Sequence, residues 1–299
     1  MRPYVCIGYW LGFRPTHRFK SIVQQHEPWI FPILYLGWAL LFWIPLIFSD
    51  APVWSIPNVF LLLLGGMSPV VAGVVLLWVT AGWGGYTDLV QRLTEINRIP
   101  RQWWLIITLY YPGFTWGVAA IVLVLGITDT PITLISIDRL SDPAAVVLLI
   151  AVAFVFPTVE EIGLRGYWFD QLQARWSALT ASLILGTVWA LWHLPLFYMT
   201  GYYSTTTFDP QLWWFLPSLV FTAIIGTWVY NNTQRSVLAV ISLHFFGNLT
   251  GEVVGLTSGI SPLAAAVTIA IATLLVAVYG PESLRGWNTK RPIAPRYGN

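Results

Sequence analysis

Residues 261–280 read SPLAAAVTIAIATLLVAVYG, a stretch without a single charged side chain. A bilayer core of about 30 Å is crossed by roughly 20 apolar residues in a helix, whose backbone groups bond within their own segment. The rest of the chain shares this character, since 57% of its 299 residues are hydrophobic and 9% are charged. A soluble domain carries about a quarter charged residues. The sequence therefore predicts an all-α, polytopic membrane helix bundle.

The same length requirement, applied along the chain, selects eight candidate transmembrane helices. They are residues 29–48, 57–82, 102–127, 143–168, 178–199, 211–231, 236–253 and 261–280. Between the second and third, residues 84–100 place Leu89 and Leu93 on one side and Asp88 and Arg92 elsewhere. This pattern predicts a short amphipathic helix on the membrane surface.

The eight spans divide the chain into three parts. Residues 1–28 are predicted to form an N-terminal tail, residues 29–280 the transmembrane bundle, and residues 281–299 a loose C-terminal tail rich in Pro, Gly and basic residues. The candidate catalytic core is residues 143–253.

The distribution of Lys and Arg predicts the orientation. With eight spans, both termini lie on one side of the membrane, and fourteen of the fifteen basic residues fall on that side. Arg139 is the exception. Because cytoplasmic loops carry the Lys/Arg excess, we expect both termini to be cytoplasmic, in a plasma membrane that we expect to be prokaryotic.

Several polar residues lie inside the predicted spans, where ionisable groups are costly and often functional. Span four contains Glu160, Glu161 and Arg165, span five contains His193, and span seven contains His244 and Asn248; these six are the candidate site residues. Residues four apart share a helix face, which pairs Glu161 with Arg165 and aligns His244 with Asn248. Adjacent Glu160 points about 100° away from Glu161, toward the bundle interior, where a carboxylate could act as a general base for water.

Each of these residues also has a simpler interpretation. Glu161 and Arg165 could form an interfacial salt bridge near the cytoplasmic end of span four, a lone histidine could serve packing, and Asn248 could bond a neighbouring helix. Glu252 continues the face of His244 and Asn248 but lies at the end of span seven, where solvation is the simpler interpretation. The combination of all six on three spans favours a site.

The types and spacing of these residues resemble the motifs of the CPBP family of intramembrane proteases. This family includes type II CAAX prenyl endopeptidases and bacteriocin-processing or self-immunity proteins. The matching motifs are EExxxR (Glu160, Glu161, Arg165), an aromatic-xxx-His (Trp189, His193) and HxxxN (His244, Asn248). The family often has Phe at the position of Trp189, a difference that we expect to be neutral.

The resemblance implies an intramembrane endopeptidase that needs no metal and no cofactor. Glu160 with His193 would activate water, His244 and Asn248 would stabilise the oxyanion, and Glu161 with Arg165 would hold span four in register. It also implies a cavity reached from the cytoplasm. The expected partners are membrane lipid and a membrane-associated or lipidated, CAAX-like protein or peptide, and no nucleic acid.

Three other function classes remain open from the sequence. A zinc protease would use Glu and His ligands, although no HExxH motif is present. A transporter would also bury Glu, His and Arg, although no inverted repeat is visible. A non-enzymatic scaffold or self-immunity protein could retain the same residues. The substrate and the oligomeric state do not follow from the sequence.

Overall fold

The computed structural model describes residues 23–203 and 210–292 of the chain. Within these ranges it is a bundle of long helices with one small sheet. The α-helices are α1 (Ile30–Ile47), α2 (Asn58–Gly66), α3 (Ser68–Thr94), α4 (Arg101–Val124), α5 (Ile137–Ser141), α6 (Pro143–Gly163), α7 (Phe169–Gln173), α8 (Ala178–His193), α9 (Leu212–Asn232), α10 (Val237–Val253) and α11 (Ser261–Tyr279). Strands β1 (Ile132–Leu134) and β2 (Val254–Leu256) pair antiparallel, with Thr133 opposite Gly255. Short 3₁₀ turns cover Ile96–Arg98, Leu194–Tyr198 and Ser258–Ile260, and a π-helical turn, Leu164–Trp168, joins α6 to α7.

The prediction of an all-α polytopic bundle is confirmed. In the described part of the chain, seven helical segments are long and apolar enough to cross a membrane. The remaining predicted span, the seventh (residues 236–253), corresponds to α10, an apolar helix of 17 residues, at the short end of the usual range. Two of the spans are longer than predicted, because α2 and α3 continue to Thr94 and α6 continues through the π-helical turn to Gln173.

Local sequence signals set the starts of the core helices. Asp142 caps α6 by accepting from the amide of Ala144 at 2.9 Å, immediately before Pro143. Ser177 and Ser236 cap α8 and α10 in the same way. A side-chain oxygen at this position satisfies one of the free amides of the first helical turn.

The predicted surface helix over residues 84–100 is wrong. Residues 83–94 belong to α3, which bends at Gly82, where φ is 56°. Asp88 and Arg92 are only 8% and 1% exposed. The spacing of Asp88 and Arg92 suggested a solvated helix face. Their partners are Asp170 on α7 and Arg235 after α9, which are too distant in the sequence for a local pattern to reveal them.

The bundle has two ends, which we call the terminal face and the loop face. At the terminal face, Arg98 donates to the carbonyl of Gln234 at 3.3 Å, and the amide of Ala178 donates to the backbone carbonyl of Glu282 at 2.9 Å. At the loop face, the amide of Val53 donates to Thr200 at 2.8 Å. The terminal face comprises the helix connections near residues 94–101, 173–178, 232–237 and 280–291. The loop face comprises those near residues 48–57, 125–142, 194–203 and 254–260.

The first part of the predicted loose C-terminal tail is packed against the terminal face. The carbonyls of Pro281 and Glu282 accept from the first amides of α8, and Asn231 donates to the carbonyl of Ser283 at 2.8 Å. Leu284 is fully buried. The first residues of the tail are held in place because their carbonyls accept hydrogen bonds from the free amides at the start of α8 and from the side chains of Asn231 and Asn232. Residues 293–299 and most of the predicted N-terminal tail lie outside the described residues.

Candidate active site

The two adjacent glutamates near the end of α6 have different partners. Glu160 accepts from the indole nitrogen of Trp189 at 2.7 Å. Glu161 accepts from Arg165 Nη1 at 2.5 Å and faces Nδ1 of His244 at 3.3 Å. Both glutamates are buried, with exposed fractions of 8% and 2%. The predicted divergence of the two side chains and the predicted Glu161–Arg165 pair are therefore present, and the pair is internal rather than interfacial.

Arg165 fits its site because α9 carries a glycine opposite it. The guanidinium donates to the carbonyl of Ala223 at 3.3 Å. A Cβ atom on Gly226 would lie 2.4 Å from Nη2 of Arg165. The missing side chain of Gly226 thus provides the space in which the charged group can lie beside Glu161.

Replacing Gly226 with alanine is expected to lower stability by about 1–3 kcal/mol, as overpacking of a buried site does. The added methyl must displace the Arg165 guanidinium from Glu161. Thermal unfolding of the purified protein in detergent measures the effect. Gly113→Ala is the matched control, since nothing lies within 4 Å of a Cβ atom at that helical glycine. Equal melting temperatures for the two variants would contradict the packing.

His193, at the end of α8, has a fixed tautomer. Its Nδ1 lies 2.9 Å from the carbonyl of Trp189, which can only accept a hydrogen bond. Nδ1 therefore carries a hydrogen, and Nε2 of the neutral ring is an acceptor. The ring packs edge-on against Trp192 and Phe215, with centroids 4.9 and 5.8 Å away. Such a residue can accept a hydrogen bond from water through Nε2.

His244 and Asn248 lie one turn apart on α10. Nδ1 of His244 faces Glu161, so that its Nε2 donates a hydrogen bond only when the ring carries both protons. The side chain of Asn248 is half-buried and makes no hydrogen bond to another described residue. Its amide is therefore available to a molecule in the site.

One cavity of about 200 Å³ brings the candidate catalytic residues together. Glu160, His193, His244 and Asn248 all line it. Glu161 and Arg165 lie behind this wall and do not line it. The remaining lining is largely aromatic, with Trp43, Trp54, Trp192, Tyr202, Tyr203 and Phe215 among its members.

The position of Glu160 along the membrane corrects a sequence expectation. Glu160 precedes Gln173, at the terminal face, by thirteen residues of continuous helix, and His193 follows Ala178, at the same face, by fifteen. At 1.5 Å per residue these separations are about 20 Å and about 22 Å, so that the two side chains reach similar depth. The expectation that span four ends near Glu161 and Arg165 is wrong, because the helix continues through the π-helical turn.

The cavity also extends toward the loop face, since Trp54, Tyr202 and Tyr203, which line it, belong to connections at that face. The start of α1 and the connection near residues 280–291 lie at the other end. The expectations that the termini are cytoplasmic and that the cavity is reached from the cytoplasm both stay predictions.

A second group of buried charges lies between the site and the terminal face. The sequence analysis did not identify this group. Arg92 donates to the carbonyls of Arg165 and Gly166 at 3.2 and 2.6 Å, within the π-helical turn. Asp170 binds Arg92 at 3.2 Å and Arg235 at 2.6 Å. Arg92 and Arg235 were counted among loop charges, whereas both are buried. The only signal in the sequence was the presence of acidic residues close to basic ones, some of them four positions apart. This local signal did not show that α3 contacts α7.

Trp189 is the other residue whose role the sequence did not reveal. We expected Trp and Phe to be equivalent here, but the indole donates directly to the Glu160 carboxylate and phenylalanine has no such donor. Trp189 therefore orients Glu160.

Trp189→Phe is expected to lower kcat about tenfold or more with little change in KM, because a hydrogen bond to a charged group contributes about 1.5–3 kcal/mol. Steady-state kinetics on a fluorogenic peptide measure this. Trp168→Phe is the control, since it removes an indole bond of 2.8 Å to the carbonyl of Pro28, away from the cavity. The orienting role would be wrong if both variants retained native kcat.

Comparison with known proteins identifies the part of the chain that carries this geometry. Residues 142–250 match the family described as type II CAAX prenyl endopeptidase Rce1-like. This segment is similar to an Rce1-like domain. The match contains Glu160, Glu161, Arg165, His193, His244 and Asn248, and it confirms the resemblance seen in the sequence.

A curated relative supports the same assignment. The chain is 33% identical over 137 residues to CAAX prenyl protease 2 of Methanococcus maripaludis. The alignment covers 45% of this chain and 49% of that protein, so that the chain spans about half the length of the curated relative it matches. The seven long apolar helices and the similarity to a membrane protease family together support an integral membrane protein.

Proposed function

We propose that the protein is an intramembrane endopeptidase that hydrolyses a peptide bond in a membrane-associated or lipidated, CAAX-like protein or peptide. The observation that carries this proposal is the cavity of the segment that matches the Rce1-like family, in which a buried glutamate, two histidines and an asparagine share one wall. A general base and oxyanion donors are the parts that peptide hydrolysis requires.

In the proposed reaction, Glu160 takes a proton from a water molecule, whose position Nε2 of His193 helps to fix by accepting a second hydrogen bond. The water oxygen attacks the peptide carbonyl, and the carbonyl oxygen becomes the oxyanion. The amide of Asn248 and the doubly protonated ring of His244 donate to that oxygen. The proton held by Glu160 passes to the leaving nitrogen as the C–N bond breaks.

Glu161 and Arg165 act on this site without touching the substrate. Glu161 fixes the ring of His244 through Nδ1, and Arg165 balances the charge of Glu161 in the interior. Arg92 in turn binds the carbonyl of Arg165. These residues hold the two helices that supply the base and the oxyanion donors.

Because the proposed base and donors are all side chains, activity is expected to persist after treatment with strong chelators. In the described residues, no group of three His, Cys, Asp or Glu side chains is arranged to hold a metal ion. Cleavage rates before and after chelation, with zinc content measured on the same sample, test this. Loss of activity that added zinc restores would favour a zinc protease instead.

The proposed function itself is tested by comparing membrane proteomes of cells that express the native chain or Glu160→Gln. A protease predicts membrane proteins that lose a terminal fragment only with the native chain. Identical proteomes, together with proton or solute flux that depends on the native chain, would favour a transporter.

A further inference from the structure

Tyr111 on α4 lies against the turn of α10 that carries His244 and Asn248. Gly247 belongs to this turn, and a Cβ atom placed on it would lie 2.8 Å from Cε2 of Tyr111 and 3.1 Å from Cδ2 and Cζ. Carbon atoms in favourable contact are about 3.5–4.0 Å apart. The Tyr111 ring therefore occupies the space that a side chain at position 247 would need.

The hydroxyl of Tyr111 is within electrostatic range of the buried ion pair behind the cavity. It interacts with both Arg165 and Glu161, and Glu161 also faces Nδ1 of His244 at 3.3 Å. Tyr111 is therefore close to the two features that decide where His244 lies, which are the backbone turn at Gly247 and the carboxylate of Glu161.

The half of α10 that carries His244 is less tightly packed than the half before it. Residues 244–250 are all half-buried, and α10 packs mainly against α6 and α4. Because less of this half is enclosed, each contact that remains has more influence on its position. The buried residues of the preceding half are Val237, Ala239, Val240, Ile241 and Leu243.

The Tyr111 ring also flanks His244 from one side. With about 100° per residue, Gly247 points about 60° away from His244 in one direction, and Asn248 points about 40° away in the other. A displacement of this turn away from α4 would therefore move His244 and Asn248 together.

We propose that Tyr111 is a positioning residue for the two oxyanion donors. Its ring, seated against Gly247, fixes the distance between α4 and α10 and thereby the place at which His244 and Asn248 meet the substrate carbonyl. This inference rests on the proposed function and adds to it a residue that does not line the cavity. The ring carries this role, and the hydroxyl of Tyr111 is not required for it.

Two variants test the contact by steady-state kinetics on a fluorogenic peptide. Gly247→Ala adds a methyl group that must displace the ring or the helix, and Tyr111→Ala removes the ring without adding an atom. Each is expected to lower kcat about tenfold or more, since a misplacement of about 1 Å can cost about a hundredfold. KM should change little, because the donors act in the transition state.

Two further variants are the controls. Tyr111→Phe keeps the ring and should retain most of the native kcat. Gly251→Ala lies one turn further along α10, where nothing is within 4 Å of an added Cβ atom, and should behave like the native protein. The inference is overturned if Tyr111→Phe loses as much activity as Tyr111→Ala, or if Tyr111→Ala keeps the native kcat.

Combining Gly247→Ala with Tyr111→Ala tests whether the two residues act through one contact. The added methyl group has room once the ring is gone, so the double variant should be no slower than Tyr111→Ala alone. Losses that multiply would mean that the two residues act independently, which would overturn the inference.

The position of His244 can also be followed without any proteolysis. The chain has four histidines, and with ¹³C-labelled histidine the signal of His244 is the one that disappears in His244→Asn. Gly247→Ala and Tyr111→Ala should shift this signal, because they alter the contact with Glu161, whereas Gly251→Ala should not. An unmoved signal in both variants overturns the inference. The expected shifts in a protein that cleaves no peptide would support the contact and overturn the proposed function instead.

Discussion

Glu160→Gln is expected to reduce peptide hydrolysis by at least about a hundredfold, the lower end of what a general base contributes. Glutamine keeps the shape of the side chain, and its oxygen can still accept from the indole of Trp189, as Glu160 does at 2.7 Å. The amide cannot take a proton from water. Loss of activity should therefore occur without loss of folded protein, measured as cleavage rate and melting temperature on one preparation.

The control for this variant is Glu252→Gln. Glu252 lies on α10, as His244 and Asn248 do, but it is exposed and does not line the cavity. It should retain native activity and stability. If Glu160→Gln cleaves at the native rate, Glu160 is not the base.

Glu161→Gln is expected to act on stability instead. Arg165 would lose the carboxylate that binds it at 2.5 Å, in a site where Arg165 is 2% exposed. Breaking a buried ion pair by removing one partner costs about 3–5 kcal/mol, because the remaining charge stays buried without compensation. The expected result is poor yield and early thermal unfolding in detergent.

A double variant separates the lost pair from the lost side chain. Glu161→Gln with Arg165→Leu leaves no unpaired charge, and apolar replacement of a buried pair is often nearly neutral. Its melting temperature should therefore exceed that of Glu161→Gln alone. If Glu161→Gln instead melts like the native protein and is inactive while Glu160→Gln cleaves normally, the roles of the two glutamates are reversed.

Features that depend on local periodicity were predictable from the sequence. The length of apolar stretches located all eight helices, and the helical angle between adjacent residues separated Glu160 from Glu161. The four-residue spacing also identified the Glu161–Arg165 pair.

Features that depend on distant contacts were not predictable in this way. Arg92 and Asp170 pair across 78 positions of the chain, so that a local reading assigned Arg92 to a solvated surface. The depth of Glu160 was misplaced because hydropathy alone does not show that α6 continues through a π-helical turn. The hydrogen bond from Trp189 required both helices in position, since aromatic size alone gave no reason to distinguish Trp from Phe.

The most direct test of the account is hydrolysis in water enriched in ¹⁸O. The purified native chain and Glu160→Gln are reconstituted in lipid vesicles with a membrane protein that the proteome comparison identifies as cleaved. Mass spectrometry then examines the new C-terminus of the released fragment. We predict a fragment that carries ¹⁸O with the native chain and no fragment with Glu160→Gln. Equal ¹⁸O-labelled cleavage by the two proteins would contradict the central claim that Glu160 activates the attacking water.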